Sequence, residues 1–182
     1  MISFLKKKIH SSEVAVGFIH ASCDEIEDRF ALFKSTLDHI ADAAGRGNYV
    51  DEKVRSVLMP EMIFWSYQMA LGLLAARNTF SSKISENIVK VLAVELASSA
   101  SEKTQWFPAH VIETYNLISS RTENPGILCV SGLLEEFEII HDADSATDFG
   151  GPIAMASLME VVIYHKSTKY MKEVSDKYRV IL

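Results

Sequence analysis

Residues 22–45 read SCDEIEDRFALFKSTLDHIADAAG. The large apolar residues of this stretch recur at alternating steps of four and three positions, which is the spacing of one helix face: Ile26, Phe30, Phe33, Leu37 and Ile40. Ser22 and Glu25 fit the capping box that begins many helices, and Gly45 is typical of a helix end. The stretch predicts an amphipathic helix with Phe33 in the core and Glu25 as a cap.

The composition of the chain extends this prediction to the other segments. Average usage of about 7% Gly and 5% Pro would give roughly 22 such residues, whereas the 182-residue chain has 8 glycines and 4 prolines. Few turn-forming residues favour long helices with short connections, and 48% apolar residues are enough for a core. We predict an all-α, bundle-like fold of roughly six to eight helices in a single compact domain over residues 1–182. Residues 1–10 are expected to be a loosely docked N-terminal segment.

Start and stop signals divide the remaining chain into further helices. A long helix is predicted over residues 51–78, with a kink or break at Pro60. Another covers residues 83–100, and its part over residues 88–97 is apolar on almost every side, so we expect it at the centre of the fold. A last helical stretch is predicted from residue 152 to the end of the sequence.

Residues 108–141 predict a helical hairpin. Pro108 suits the first turn of one helix, and Asn124 followed by Pro125 suits the cap and the first turn of the next. Short connections of this kind usually join antiparallel neighbours. We therefore expect the two helices to pack side by side.

The hairpin carries a candidate metal site. Glu138 and His141 are three residues apart, a spacing that places a carboxylate and an imidazole on one helix face in di-iron bundles. His110 and Glu113 give the same pair in reverse order on the preceding helix, and antiparallel packing puts His110 beside Glu138. The alternative is a histidine–carboxylate pair that only joins the two helices, because Glu138 is about 100° from the buried Phe137.

Aromatic and methionine side chains concentrate near the start of the long helix that follows Pro60. Such a group is usual in a hydrophobic core, and it can also line an apolar ligand pocket: Met59, Met62, Phe64, Trp65, Tyr67 and Met69. The sequence leaves both interpretations open.

The charge and the first residues bear on partners and location. The net charge of -6 and the pI of about 5.5 give a field that repels nucleic acid and anionic lipid, so we expect neither nucleic-acid binding nor stable membrane insertion. In residues 1–10, three lysines follow the first apolar residues, which is the wrong order for a secretory signal. We expect a cytoplasmic protein.

The sequence contains no nucleotide-binding, zinc-protease or nucleophile-elbow motif. This favours a non-catalytic helical protein that binds another protein as a regulator, adaptor or inhibitor. Its acidic charge suits a basic partner, and a homo-oligomer stays open. No catalytic residue and no cofactor are assigned. The alternative is a metal-dependent enzyme or metal-binding protein that holds a divalent metal with His110, Glu113, Glu138 and His141.

Overall fold

The computed structural model describes residues 6–45, 47–121, 123–140, 151–163 and 166–182. Nine helices and one small sheet of two strands are present in these residues, and the predicted all-α fold is confirmed. The elements are β1 (Lys7–His10), α1 (Ser11–Cys23), α2 (Ile26–Ala43), α3 (Gly47–Ser56), α4 (Pro60–Thr79), α5 (Ser82–Ser99), α6 (Phe107–Ser120), α7 (Pro125–Glu136), α8 (Gly151–Ile163), α9 (Lys166–Lys177) and β2 (Tyr178–Ile181).

Helix α4 lies at the centre of the fold. Eleven of its 20 residues are buried, and they point in all directions around the helix axis. The helix packs against α1, α2, α5, α6, α7, α8 and α9. Residues 62–76 contain no charged side chain, so no face of this segment has to remain in water.

Helix α5 is not the central helix that its composition predicts. Val94 is 65% exposed, and Lys90 and Glu95 are exposed as well. The prediction for residues 88–97 is wrong because this segment still carries two charges, whereas α4 offers a longer run without any. The buried positions of α5 form a single stripe: Ser85, Ile88, Leu92 and Leu96.

Two hydrophobic clusters meet along α4. The first cluster packs mainly α2, α3, α7 and α8 against α4, and four phenylalanine rings contact one another inside it: Phe30, Phe33, Phe64 and Phe137. The second cluster packs α1, α5, α6 and α9 around another part of α4. Phe33 is fully buried, which confirms its predicted place in the core.

The turn between α1 and α2 differs from the predicted capping box. Helix α1 continues to Cys23, and the Ser22 hydroxyl donates to the carbonyl oxygen of Ile19 at 2.8 Å. Helix α2 begins at Ile26, and Glu25 before it makes no capping hydrogen bond with its side chain. A serine in the last turn of a helix has a carbonyl within reach, and this bond competes with capping the next helix.

A sharp corner separates α3 from α4. The two helices meet at 89°. Met59 has a left-handed φ of 55°, and Pro60 begins α4. Helix α3 ends at Ser56 and α4 begins at Pro60, so the predicted break at Pro60 is confirmed. The residue before a proline is disfavoured in right-handed helical geometry. In the described residues no helix alone has the length and apolar character to cross a membrane, and α3 with α4 meets that test only as this bent pair.

Helices α6 and α7 begin where the hairpin prediction places their starts. Pro108 is in the first turn of α6, and the Asn124 side chain accepts a hydrogen bond from the Gly126 N–H at 2.8 Å at the start of α7. However, α6 packs mainly against α4, and α7 packs mainly against α8. Helix α7 also ends at Glu136 rather than at residue 141.

Strand β1 pairs with β2 in a parallel sheet that joins the two ends of the described chain. Ile9 lies opposite Val180 in this pairing. The expectation of a loosely docked segment over residues 1–10 is therefore wrong for residues 7–10. The predicted C-terminal helix ends at Lys177, where β2 follows directly.

The two faces of this sheet have different surroundings. Ile9, Tyr178 and Val180 are partly buried against the second cluster. Because successive residues of a strand point to opposite faces, Lys8 and Arg179 lie opposite each other on the outer face, and both are exposed. Like charges in directly opposite positions destabilise a sheet.

We expect two neighbouring residues of β1 to respond differently to the same substitution. Ile9→Asp places a carboxylate against the second cluster and should lower the free energy of unfolding by about 2–3 kcal/mol. Lys8→Asp places an acid opposite Arg179 and should leave the stability unchanged or slightly higher. Urea unfolding followed by circular dichroism measures both values. Equal losses in the two variants would contradict the register of the sheet.

Candidate functional site

His110, the first residue of the predicted metal site, lies in α6 and joins three helices. Its Nδ1 is 2.7 Å from Ser66 Oγ in α4, and its Nε2 is 3.1 Å from Glu136 Oε1 at the end of α7. The imidazole also meets the rings of Tyr67 and Trp106 nearly edge to face. The position of His110 is thus fixed by two hydrogen bonds and two ring contacts.

The hydrogen-bond partners of His110 in α4 and at the end of α7 are placed differently. The Ser66 hydroxyl donates to the carbonyl oxygen of Ile63 at 2.6 Å, so its oxygen accepts from His110 Nδ1–H. The Glu136 carboxylate lies on the Nε2 side of the ring, and a carboxylate oxygen can only accept.

The order of serine, histidine and carboxylate in this group is not arranged for nucleophilic catalysis. Ser66 is fully buried within α4, and its proton is directed to the helix carbonyl of Ile63. A nucleophilic serine must reach a substrate and give its proton to a base. Burial also raises the pKa of the neighbouring Tyr67 hydroxyl, with a smaller contribution from Glu136, so this phenol stays neutral. Ser66, His110 and Glu136 instead connect α4, α6 and α7 to one another.

Two of the other predicted metal ligands, Glu138 and Glu113, have surroundings different from those of His110. Glu138 follows the end of α7 with a left-handed φ of 54°, and its carboxylate is 2.8 Å from Lys53 Nζ. The hydrogen bond from Lys53 holds the pKa of the Glu138 carboxyl below its usual range. Glu113 is exposed on α6, and His141 lies outside the described residues. Glu136 takes the place beside His110 that the sequence assigns to Glu138.

Early termination of α7 explains this exchange of partners. The hairpin geometry used for the prediction requires a helix that continues through Glu138 to His141, but the helix ends at Glu136. Within the part of the chain that the structure describes, no group of three or more histidine, cysteine or acidic residues is arranged to hold a metal ion. The predicted site with a divalent metal stays a prediction because one of its four residues is not described.

A groove between α1 and α5 is a second candidate site, and the sequence indicates it only through Met62 and Trp65, two of the residues for which an apolar pocket is left open. It consists of two adjoining depressions of about 290 and 440 Å³ that share Val16, His20 and Glu95. Apolar side chains from α1, α4, α5 and α6 line it: Val16, Ile19, Met62, Trp65, Leu96 and Phe107. Met62 and Trp65 therefore line a groove, whereas Phe64, Tyr67 and Met69 are buried in the core.

The floor of the groove is firmly held. The Trp65 indole stacks on the Phe107 ring with 4.8 Å between centroids, and its Nε1–H donates to Ser22 Oγ at 3.0 Å. This bond ties α4 to the end of α1. An aromatic side chain fixed in this way offers an apolar contact surface with little conformational entropy left to lose on binding.

Acidic side chains stand at the edge of the groove. Glu13 on α1 and Glu95 on α5 line it, and both are exposed. Val94 is 65% exposed and lies three residues from the lining residue Val91, which makes it a neighbour on the same side of α5. The groove thus combines an apolar floor with two carboxylates and an exposed valine near its edge.

We expect His110→Ala to lower the free energy of unfolding by about 1–3 kcal/mol, because it leaves the Ser66 hydroxyl oxygen without its donor and removes ring packing. Glu113→Ala, an exposed change on the same helix, should cost about 0.5 kcal/mol or less. Urea unfolding of both variants measures the difference.

We expect added zinc, manganese or ferrous iron to leave the melting temperature of the wild-type protein unchanged in thermal unfolding. A metal-dependent rise that His110→Ala and His141→Ala both abolish would instead support the metal-binding alternative.

Comparison with known proteins adds no relative from which a role for these residues could be transferred. No family model, no curated protein and no solved structure matches the chain. The chemistry of the two candidate sites is therefore the basis for a functional proposal. Ser66 is buried and its contact with His110 joins two helices, with Glu136 exposed at the edge of this group, whereas the groove between α1 and α5 is open to a ligand.

Proposed function

We propose that this protein is a non-catalytic binding protein whose α1–α5 groove receives a basic, amphipathic helical segment of another protein. The observation that carries the proposal is the combination of an apolar floor with Glu13 and Glu95 at its edge. A helix laid between two helices can bury its apolar face on such a floor. Its basic residues would then meet the two carboxylates.

The aromatic rings of Trp65 and Phe107 offer a contact surface for an apolar side chain of the partner. Trp65 and Phe107 line the more enclosed of the two depressions, together with Met62. Tryptophan and other aromatic residues are enriched among the side chains that dominate binding energy at interfaces. Methionine adapts its shape to different partners. An apolar side chain of the partner would insert beside Trp65.

Charge selects among amphipathic partners. The chain has a net charge of -6, and the groove adds two exposed carboxylates at the point of contact. Complementary charges at the rim of an interface speed association and exclude partners of the same sign. A basic segment is therefore favoured over an acidic segment of equal apolar content.

A synthetic amphipathic helix of leucine and lysine residues tests this proposal by isothermal titration calorimetry. We expect it to bind the wild-type protein, and we expect Glu95→Lys to weaken binding by about tenfold, since a close attraction becomes a repulsion. A peptide with glutamate in place of lysine should not bind.

Glu86→Lys provides the matched control. Glu86 is exposed on the same helix, and nine residues separate it from Glu95, which puts it about 180° away around the helix axis. This variant changes the net charge equally and should keep the wild-type affinity within about twofold. Equal weakening in both variants, or no binding by the wild-type protein, would refute the groove as the site.

A further inference from the structure

The paired ends of the described chain form a basic surface on an otherwise acidic protein. Residues 6–10 and 169–182 hold seven of the 18 lysine and arginine residues and two of the 24 acidic residues. These two segments therefore carry a net charge of +5, and the rest of the chain carries -11. We call this surface the basic end.

The sheet is the element that brings these charges together. Strand β1 lies beside β2, and α9 runs directly into β2 while packing on α1 and α4. Six of the seven basic side chains are exposed: Lys7, Lys8, Lys169, Lys172, Lys177 and Arg179. Their positions in two distant parts of the sequence hide this concentration from any local charge count.

Two of these charges lie together on the outer face of the sheet. Lys8 and Arg179 are opposite each other in the register, and neither forms an ion pair with any carboxylate of the described residues. Two like charges held side by side gain stability when an external anion approaches both. This face therefore fits an anionic surface.

Aliphatic side chains accompany the basic ones. Ile181 shares the outer face of the sheet with Arg179, and Leu182 beyond it is 61% exposed. The aromatic residues here, Tyr170 and Tyr178, are partly buried against the second cluster. Single-stranded nucleic acid is bound by exposed aromatic rings that stack on bases, whereas basic and aliphatic side chains together suit the headgroup region of a bilayer.

We propose that the basic end binds the surface of an anionic phospholipid bilayer. A bilayer is flat, so it can contact this end while the acidic remainder of the protein points away from it. The attraction rests on exposed charges with little apolar insertion, so the attachment is reversible and weakens as salt screens the charges. This activity is separate from ligand binding in the α1–α5 groove.

Vesicle co-sedimentation tests the proposal with the whole protein. We expect binding to vesicles of equal parts phosphatidylcholine and phosphatidylglycerol, no binding to phosphatidylcholine alone, and release at high sodium chloride. The double variant Lys8→Glu with Arg179→Glu should lose at least about tenfold in binding, because two attractive charges become repulsive. This variant keeps a like-charge pair across the strands, so we expect its free energy of unfolding to equal that of the wild type.

The matched control is the double variant Lys103→Glu with Arg121→Glu, which makes the same change of charge at exposed residues outside the basic end. We expect it to retain wild-type binding. Equal loss in both double variants would show a response to net charge alone and would overturn the proposal. It would also be overturned by absence of binding, by release with inorganic phosphate at constant ionic strength, or by tighter binding to duplex DNA or RNA.

Discussion

The burial of α4 on all sides is the constraint on which the other helices depend. Residues 62–76 contain no charged residue, so exposing a face of this segment to water raises the free energy of the folded state. Seven other helices pack against it and divide its surface between the two hydrophobic clusters. The buried hydroxyl of Ser66 adds a specific demand, since its bond to His110 fixes the position of α6 along α4.

Local patterns in the sequence predict those features that depend on near neighbours along the chain. The apolar spacing of residues 26–40 predicts α2 with Phe33 in the core, and Asn124 with Pro125 predicts the start of α7. Features that depend on distant partners are missed. The pairing of β1 with β2 is an example, as is the bond of His10 to the carbonyl of Leu182, 172 positions away. Four-residue strands carry too little alternation to be recognised without a partner.

The candidate sites show the same division between local and distant information. The spacing to Glu113 indicates His110 as a candidate, but its partner Ser66 is 44 positions away on a helix that the sequence interpretation treats separately. The exchange of Glu138 for Glu136 follows from where α7 ends, and helix ends are the least certain part of a pattern. The α1–α5 groove draws its lining from four helices, so no single segment indicates it.

The fold also concentrates positive charge at one end of the protein, which the net charge of the whole chain does not show. An overall charge of -6 argues against anionic partners, yet the sheet joins two segments of net charge +5 at one end. Helix α1 connects the two proposed surfaces, because it follows β1 directly and then lines the groove with Val16 and His20. Helix α1 thus links the acidic edge of the groove to the basic end.

Native-state amide hydrogen exchange, followed by NMR, tests the central position of α4 most directly. We expect the amides of residues 66–73 to exchange only through global unfolding, so that their protection equals the free energy of unfolding. The amides of residues 88–97 should exchange through smaller openings, since one side of α5 faces solvent. Slower exchange in residues 88–97 than in residues 66–73 would contradict the central role of α4.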